Sequence, residues 1–396
     1  MPHKPIRVHH NKIRTWDWLL ILGLTIAPMT GLRIWKIGPA EVLTFIWCLR
    51  FFPRGRVSNG ALMRFFLVFF GSMAIGTIMG LFLAPEEAEL ADWPTWLYLM
   101  FVALGMYQGL RYNELAYNEK LLTRFATLAT LLQLLLYIMA ESGVRTVFGA
   151  PLWFYYRYSG GGTNPHQVAV MMCGLTFVFA REILNKRHLL WNLLLLIGSI
   201  TVLLATQSST GVMSLAMGLL LELLVYINRM TGGRRGRAIA IIIELIVGVI
   251  LLLVFYRLLY RFAYTWISND SNGLGRLEIF SNIRNTFAQD PLFGLGPGIH
   301  SKSGSRLIEY HNTYLEILAA SGLVGLTAFL IFTVRLLRKM ANDTTFLPAI
   351  TAMYAYGFAG FAMRRLVYWG IVVFVLVICE QKSQQQMRLS GELTGM

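Results

Sequence analysis

The chain has 396 residues, 56% of them hydrophobic and 14% charged, with a formal net charge of +15. Several apolar runs approach the ~20 residues that cross a bilayer, which excludes a soluble domain and predicts an all-α polytopic membrane protein. Cys48, Cys173 and Cys379 all lie inside apolar runs, so they build no disulfide frame and show no metal spacing.

A short basic segment, 3–14, leads into a first predicted span at 17–32, and no small-residue cleavage site marks a removable signal. A second span follows at 37–52, with Glu41 near its start, then a basic turn with Pro53, Gly55 and Gly60. The third span is 61–83, an acidic link follows, and the fourth is 93–110. The fifth is 121–140. A polar interval at 141–166 runs from aromatic (Trp153, Tyr155, Tyr156) to glycine-rich (Gly160 to Gly162) and ends on Asn164-Pro165-His166. Spans six to nine are expected at 168–180, 189–205, 212–227 and 238–256. A large polar loop covers 257–310, and spans ten to twelve fall at 312–334, 346–362 and 366–379. The second and eleventh are the weakest, so the pattern gives about twelve spans, or eleven. The whole chain, 1–396, reads as one polytopic domain with no internal repeat.

The links sort by charge. Those on the side of the N-terminus carry 23 of the 35 Lys and Arg, and the opposite links carry 12. Cytoplasmic links concentrate Lys and Arg, so both termini are expected in the cytoplasm and both polar intervals on the outer face. Most of the positive charge is then topology signal, and no nucleic-acid partner is expected.

Six cations in the large loop break that trend: Arg257, Arg261, Arg276, Arg284, Lys302 and Arg306. Arg257 and Arg261 are four apart and share a helix face. Arg276 and Arg284 are eight apart, and the apolar Leu277, Phe280, Ile283 and Phe287 recur at helical spacing between and beside them, which predicts an amphipathic helix near 276–289. Such a helix can lie at the membrane surface, and the plain reading of Arg257, Arg261 and Lys302 is contact with lipid head groups. The functional reading is phosphate binding, because the planar guanidinium takes two oxygens at once. Next come Gly294-Leu295-Gly296-Pro297-Gly298, a turn-forming run that no helix or strand can absorb, and then His311-Asn312 at the mouth of span ten. A lone interfacial His is usually only hydrogen-bonded, but His is also the side chain best suited to take a proton near neutral pH. Asp290, before Pro291, reads as a turn residue. Ser208-Ser209-Thr210-Gly211 reads as capping and packing. No Gly-x-x-x-x-Gly-Lys-Ser/Thr loop, His-Glu-x-x-His helix or outer Asp-x-Asp pair occurs, so neither ATP, a metal nor another cofactor is expected.

Three pieces in order resemble the O-antigen ligase and O-antigen polymerase superfamily. They are Gly275-Arg276 with the helix that follows, the 294–298 turn, and His311-Asn312 with nine residues before Gly322-Leu323-Val324-Gly325. Arg157, the glycines and Asn164-Pro165 add a weaker echo, with His166 where the family has Asn more often. The resemblance implies an inner-membrane enzyme whose outer face transfers a glycan from a polyprenyl diphosphate. It implies inverting transfer without metal, the diphosphate itself being the leaving group. It assigns His311 and Arg276 to catalysis, and Arg157, Arg261, Arg284 and Asn312 to substrate binding. The acceptor would be lipid A–core for a ligase, toward which the His311-to-Gly325 spacing leans. A second lipid-linked glycan would serve a polymerase, and a flippase or transporter is the alternative of a different class.

Overall fold

The computed structural model describes residues 12–34, 37–51, 60–85, 90–230, 283–298, 301–303, 306–308, 310–340 and 344–394. The helices are α1 Asp17–Ile26, α2 Pro39–Leu49, α3 Ala61–Leu83, α4 Trp93–Leu110, α5 Leu115–Glu141 and α6 His166–Leu184. They continue with α7 Leu189–Ala205, α8 Ser209–Met230, α9 Thr313–Met340, α10 Leu347–Tyr356 and α11 Leu366–Thr394. Among the described residues six of these (α3, α5, α6, α8, α9 and α11) are long and apolar enough to cross a membrane. The protein is therefore a mostly helical, multi-pass membrane protein.

Several expectations change in detail. The first and eleventh spans are helices of only ten residues. At 1.5 Å per residue ten residues rise about 15 Å, half the hydrocarbon thickness. The last helix runs on to Thr394 rather than stopping at 379. The all-helical expectation is also broken by three small antiparallel hairpins. They pair β1 (Thr146–Val147) with β2 (Ala150–Pro151), β3 (Trp153–Phe154) with β4 (Arg157–Tyr158), and β5 (Ser301–Ser303) with β6 (Arg306–Ile308). The ninth span and the loop up to 282 lie outside the described residues.

The chain forms two compact units. The first comprises 1–67, 93–218 and 330–396. Its centre is α6, which is buried on nearly every face, as expected of a helix apolar all round. Lipid is as apolar as leucine, so helices in a bilayer associate through close packing rather than transfer from water. Gly174 of α6 fits this: a Cβ there would stand 2.7 Å from Ile371 Cδ1 and 3.1 Å from Met353 Sδ. At the start of α1 the buried Asp17 is fully engaged, accepting from Arg14 Nε at 2.8 Å, Tyr117 Oη at 2.7 Å and Trp47 Nε1 at 3.0 Å. Glu41 accepts from the Gly38 N–H at 2.9 Å and from Arg33 Nε at 3.0 Å, which closes the N-terminus of α2.

The second unit comprises 68–92 and 219–329. Here α3 lies against the 290–298 turn and the first half of α9. Leu295, Tyr310, Ala319 and Ala84 form its core, with Met79, Ile283 and Leu315 packed on it. Residues 283–289 are helical with Arg284 exposed and Thr286 buried; the rest of the 276–289 segment lies outside the described residues.

Candidate functional site

The predicted tenth span, α9, is not one continuous helix. Gly322 has φ 60° and ψ −162°, which breaks the helical turn. A break at this depth leaves backbone groups that lipid cannot satisfy. The 290–298 turn supplies the partners. Leu295 N–H donates to Ala319 O at 2.8 Å and Gly296 N–H to Ala320 O at 3.2 Å. Beyond the break, Leu323 N–H donates to Pro291 O at 2.9 Å and Val324 N–H to Leu292 O at 3.1 Å. Ser72 Oγ of α3 donates to the Ser321 carbonyl.

The turn needs glycine both for conformation and for approach. Gly294, Gly296 and Gly298 have φ of 71°, 93° and 85°, a region costly for residues with a Cβ. Asp290 begins the turn by accepting from Leu292 N–H and Phe293 N–H, each at 3.1 Å, as its place before Pro291 predicts. On the α3 side, a Cβ at Gly76 would stand 2.4 Å from Phe293 O, and one at Gly80 2.1 Å from Leu295 O. Hydropathy alone does not single out this pair. Its signal was Gly76-x-x-x-Gly80, two glycines on one helix face.

His311 stands at the corner where the chain enters α9. Its φ is 49°, a left-handed conformation in which His, Asn and Asp are enriched. Both neighbours are pinned. Tyr310 is fully buried, its hydroxyl 2.6 Å from Thr286 Oγ1 and its N–H donating to Glu316 Oε1 at 2.9 Å. Asn312 caps the helix, with Oδ1 accepting from Tyr314 N–H at 2.9 Å and Leu315 N–H at 3.1 Å. Asn312 thus caps the first turn of α9, and the Glu316 carboxylate ties Tyr310 back onto the same turn. The half-buried imidazole is thus carried on a rigid corner, set by the same helix that the glycine turn braces.

The other polar interval builds a cluster in the first unit. Arg157 Nε donates to the Thr206 carbonyl at the end of α7, at 3.0 Å, where a cation suits the helix C-terminus. Its Nη1 and Nη2 make no hydrogen bond among the described residues. Thr206 leads to Ser208, whose Oγ accepts from Gly211 N–H at 3.2 Å and so caps α8, bearing out the capping role of that turn. His166 Nδ1 lies 3.3 Å from Ser208 Oγ and 2.8 Å from Tyr356 Oη. Tyr356 went unmarked in the sequence because it lies 190 residues from His166 in an unremarkable apolar run. Asn164 Oδ1 accepts from His166 N–H at 2.9 Å, opening α6. Tyr158 donates to the Gln133 carbonyl at 2.8 Å, and burial pushes its phenol up, above the ordinary range.

The structure therefore brings His311 and Asn312 to one corner and places Arg284 on an exposed helical face of the same unit. Arg157 belongs to the other unit, while Arg261 and Arg276 lie outside the described residues. Residues 193–330 match the family described as O-antigen ligase. That stretch holds the glycine turn, His311, Asn312 and the break at Gly322, and leaves out Arg157. No curated protein matches the chain. The 193–330 segment, about a third of the chain, is therefore similar to the O-antigen ligase family, a family of glycosyl-transfer enzymes.

Proposed function

We propose that the chain is the ligase of this superfamily, joining a glycan carried on a polyprenyl diphosphate to lipid A–core at the outer face of the inner membrane. The observation that carries the reading is His311 on a braced corner inside the matched segment. In this reading the acceptor hydroxyl loses its proton to His311 while its oxygen attacks the anomeric carbon. The bond from that carbon to the diphosphate oxygen breaks, and the lipid diphosphate leaves with the electron pair, inverting the centre. Arg276 offsets the charge that grows on the diphosphate. Arg261 and Arg284 offer further guanidinium forks, and Arg157 offers one in its own unit. Because the diphosphate is already an activated leaving group, the step calls for neither nucleotide nor metal. Asn312 acts mainly through its cap, which holds the neighbouring imidazole in place.

A polymerase uses the same chemistry with a second lipid-linked glycan as acceptor. Deletion of the gene followed by analysis of carrier lipid separates the two. A ligase leaves long glycan on the carrier, whereas a polymerase leaves single repeats. Unchanged carrier lipid and unchanged surface glycan would refute both.

A further inference from the structure

The start of α5, the end of α6 and the start of α7 enclose a cavity of about 590 Å³ in the first unit, within the roughly 300–1,000 Å³ typical of small-ligand sites. Its lining includes none of the residues assigned above to glycosyl transfer. Lys120 and Arg124, four apart on α5, line one side, and Arg187, His188 and Trp191 line the other. The N-terminus of α7 opens into it, with no side-chain cap from His188, so the helix dipole and the first backbone N–H groups favour an anion there.

Two carboxylates, Glu119 and Glu182, also line the cavity, but both are already engaged. Arg181, 2% exposed, forks across them, reaching Glu182 Oε1 at 2.9 Å with Nη1 and Glu119 Oε1 with Nη2. Arg187 Nη1 is 3.3 Å from Glu119 and 3.6 Å from Glu182, and Lys382 Nζ is 3.5 Å from Glu119. The lining itself carries three cations, Lys120, Arg124 and Arg187, against these two carboxylates. The ordinary excess of basic residues on cytoplasmic links accounts for the number of charges. It does not account for a walled cavity that gathers them against a buried ion-pair network. Trp191, which lines the cavity, is 48% exposed at the first turn of α7, and its chain neighbour Leu190 is 77% exposed. An aromatic and an aliphatic side chain beside a basic pocket suit an acyl-chain ligand at the membrane boundary.

We propose that this cavity is a binding site for the headgroup of an anionic phospholipid. Its phosphate lies among Lys120, Arg124 and Arg187, and its chains run along Leu190 and Trp191. The site is independent of the glycosyl-transfer reading.

The test uses the full purified chain in detergent. It is titrated with phosphatidylglycerol, with phosphatidylcholine and with inorganic phosphate, and bound lipid is read by native mass spectrometry. The expected result is saturable retention of phosphatidylglycerol over phosphatidylcholine. Each cation near an anionic surface is worth about a fivefold change in affinity, so Lys120→Gln with Arg124→Gln should weaken binding about 30-fold. Lys120→Arg with Arg124→Lys should retain it, and Arg111→Gln, an exposed cation of the α4–α5 link, should leave it unchanged. Equal retention of the two lipids, or undiminished binding by the Gln pair, overturns the proposal. Displacement of phosphatidylglycerol by millimolar inorganic phosphate also overturns the lipid assignment, because the pocket would then serve a soluble phosphate.

Discussion

The backbone N–H of Leu295 donates to the carbonyl of Ala319 at 2.8 Å, across 24 residues of sequence and onto a helix that breaks three residues later at Gly322. This bond and its neighbours make the glycine turn a structural part of α9. Gly322→Ala should therefore be destabilising. A Cβ there would meet Leu292 O at 2.2 Å, and a non-glycine residue strained in this region costs about 1–3 kcal/mol before any clash. A lower melting temperature of the purified protein is the expected readout; an unchanged one would mean the break is not held by the turn.

Gly80→Ala separates close approach from backbone strain. Gly80 is helical, but its added Cβ would stand 2.1 Å from Leu295 O. The turn should be pushed off α3, and amide exchange of Leu295 and Gly296 should accelerate. Unaltered exchange at both positions would show that the turn does not depend on α3.

For His311, the informative substitution is Asn, which tolerates the left-handed corner. His311→Asn should keep the melting temperature and donor binding while turnover falls about 10²–10⁴-fold, the usual contribution of a positioned base. The wild-type rate should fall as pH drops and the imidazole gains its proton, since a protonated ring accepts none. If His311 instead grips the diphosphate as a cation, donor binding weakens in the variant and wild-type activity rises toward acid pH.

Arg276→Lys keeps the charge but loses the fork. Transfer should drop sharply while the protein still inserts into the membrane at normal levels. Full activity in this variant would reduce Arg276 to a surface cation.

Orientation is open to thiol labelling, because all three native cysteines are buried. Tyr155, 85% exposed beside β3, is a suitable reporter for the expected outer face. Tyr155→Cys should react with an impermeant reagent from outside, and Asn185→Cys, on the α6–α7 turn, only after permeabilisation. The opposite pattern would invert the topology and remove the outer-face site.

The membrane class, the approximate positions of the helices and the residues worth testing were legible in local sequence. Length and apolarity act locally, so runs such as 61–83 and 189–205 could be read with their ends. The roles of Asp290 and Ser208 were legible for the same reason, since each caps backbone groups two or three residues away. The features that were not legible are non-local. The apolar run from Thr313 to Met340 gives no local sign that Gly322 breaks it, because the groups that satisfy the break come from residues 291–296. The Gly76–Gly80 groove has meaning only once the turn lies in it, and the pairing of His166 with Tyr356 depends on two helices meeting across 190 residues. Hydropathy reports how each residue partitions between water and lipid. It carries no information about which backbone groups will be left without a partner inside the membrane, and those groups had to be satisfied by the fold.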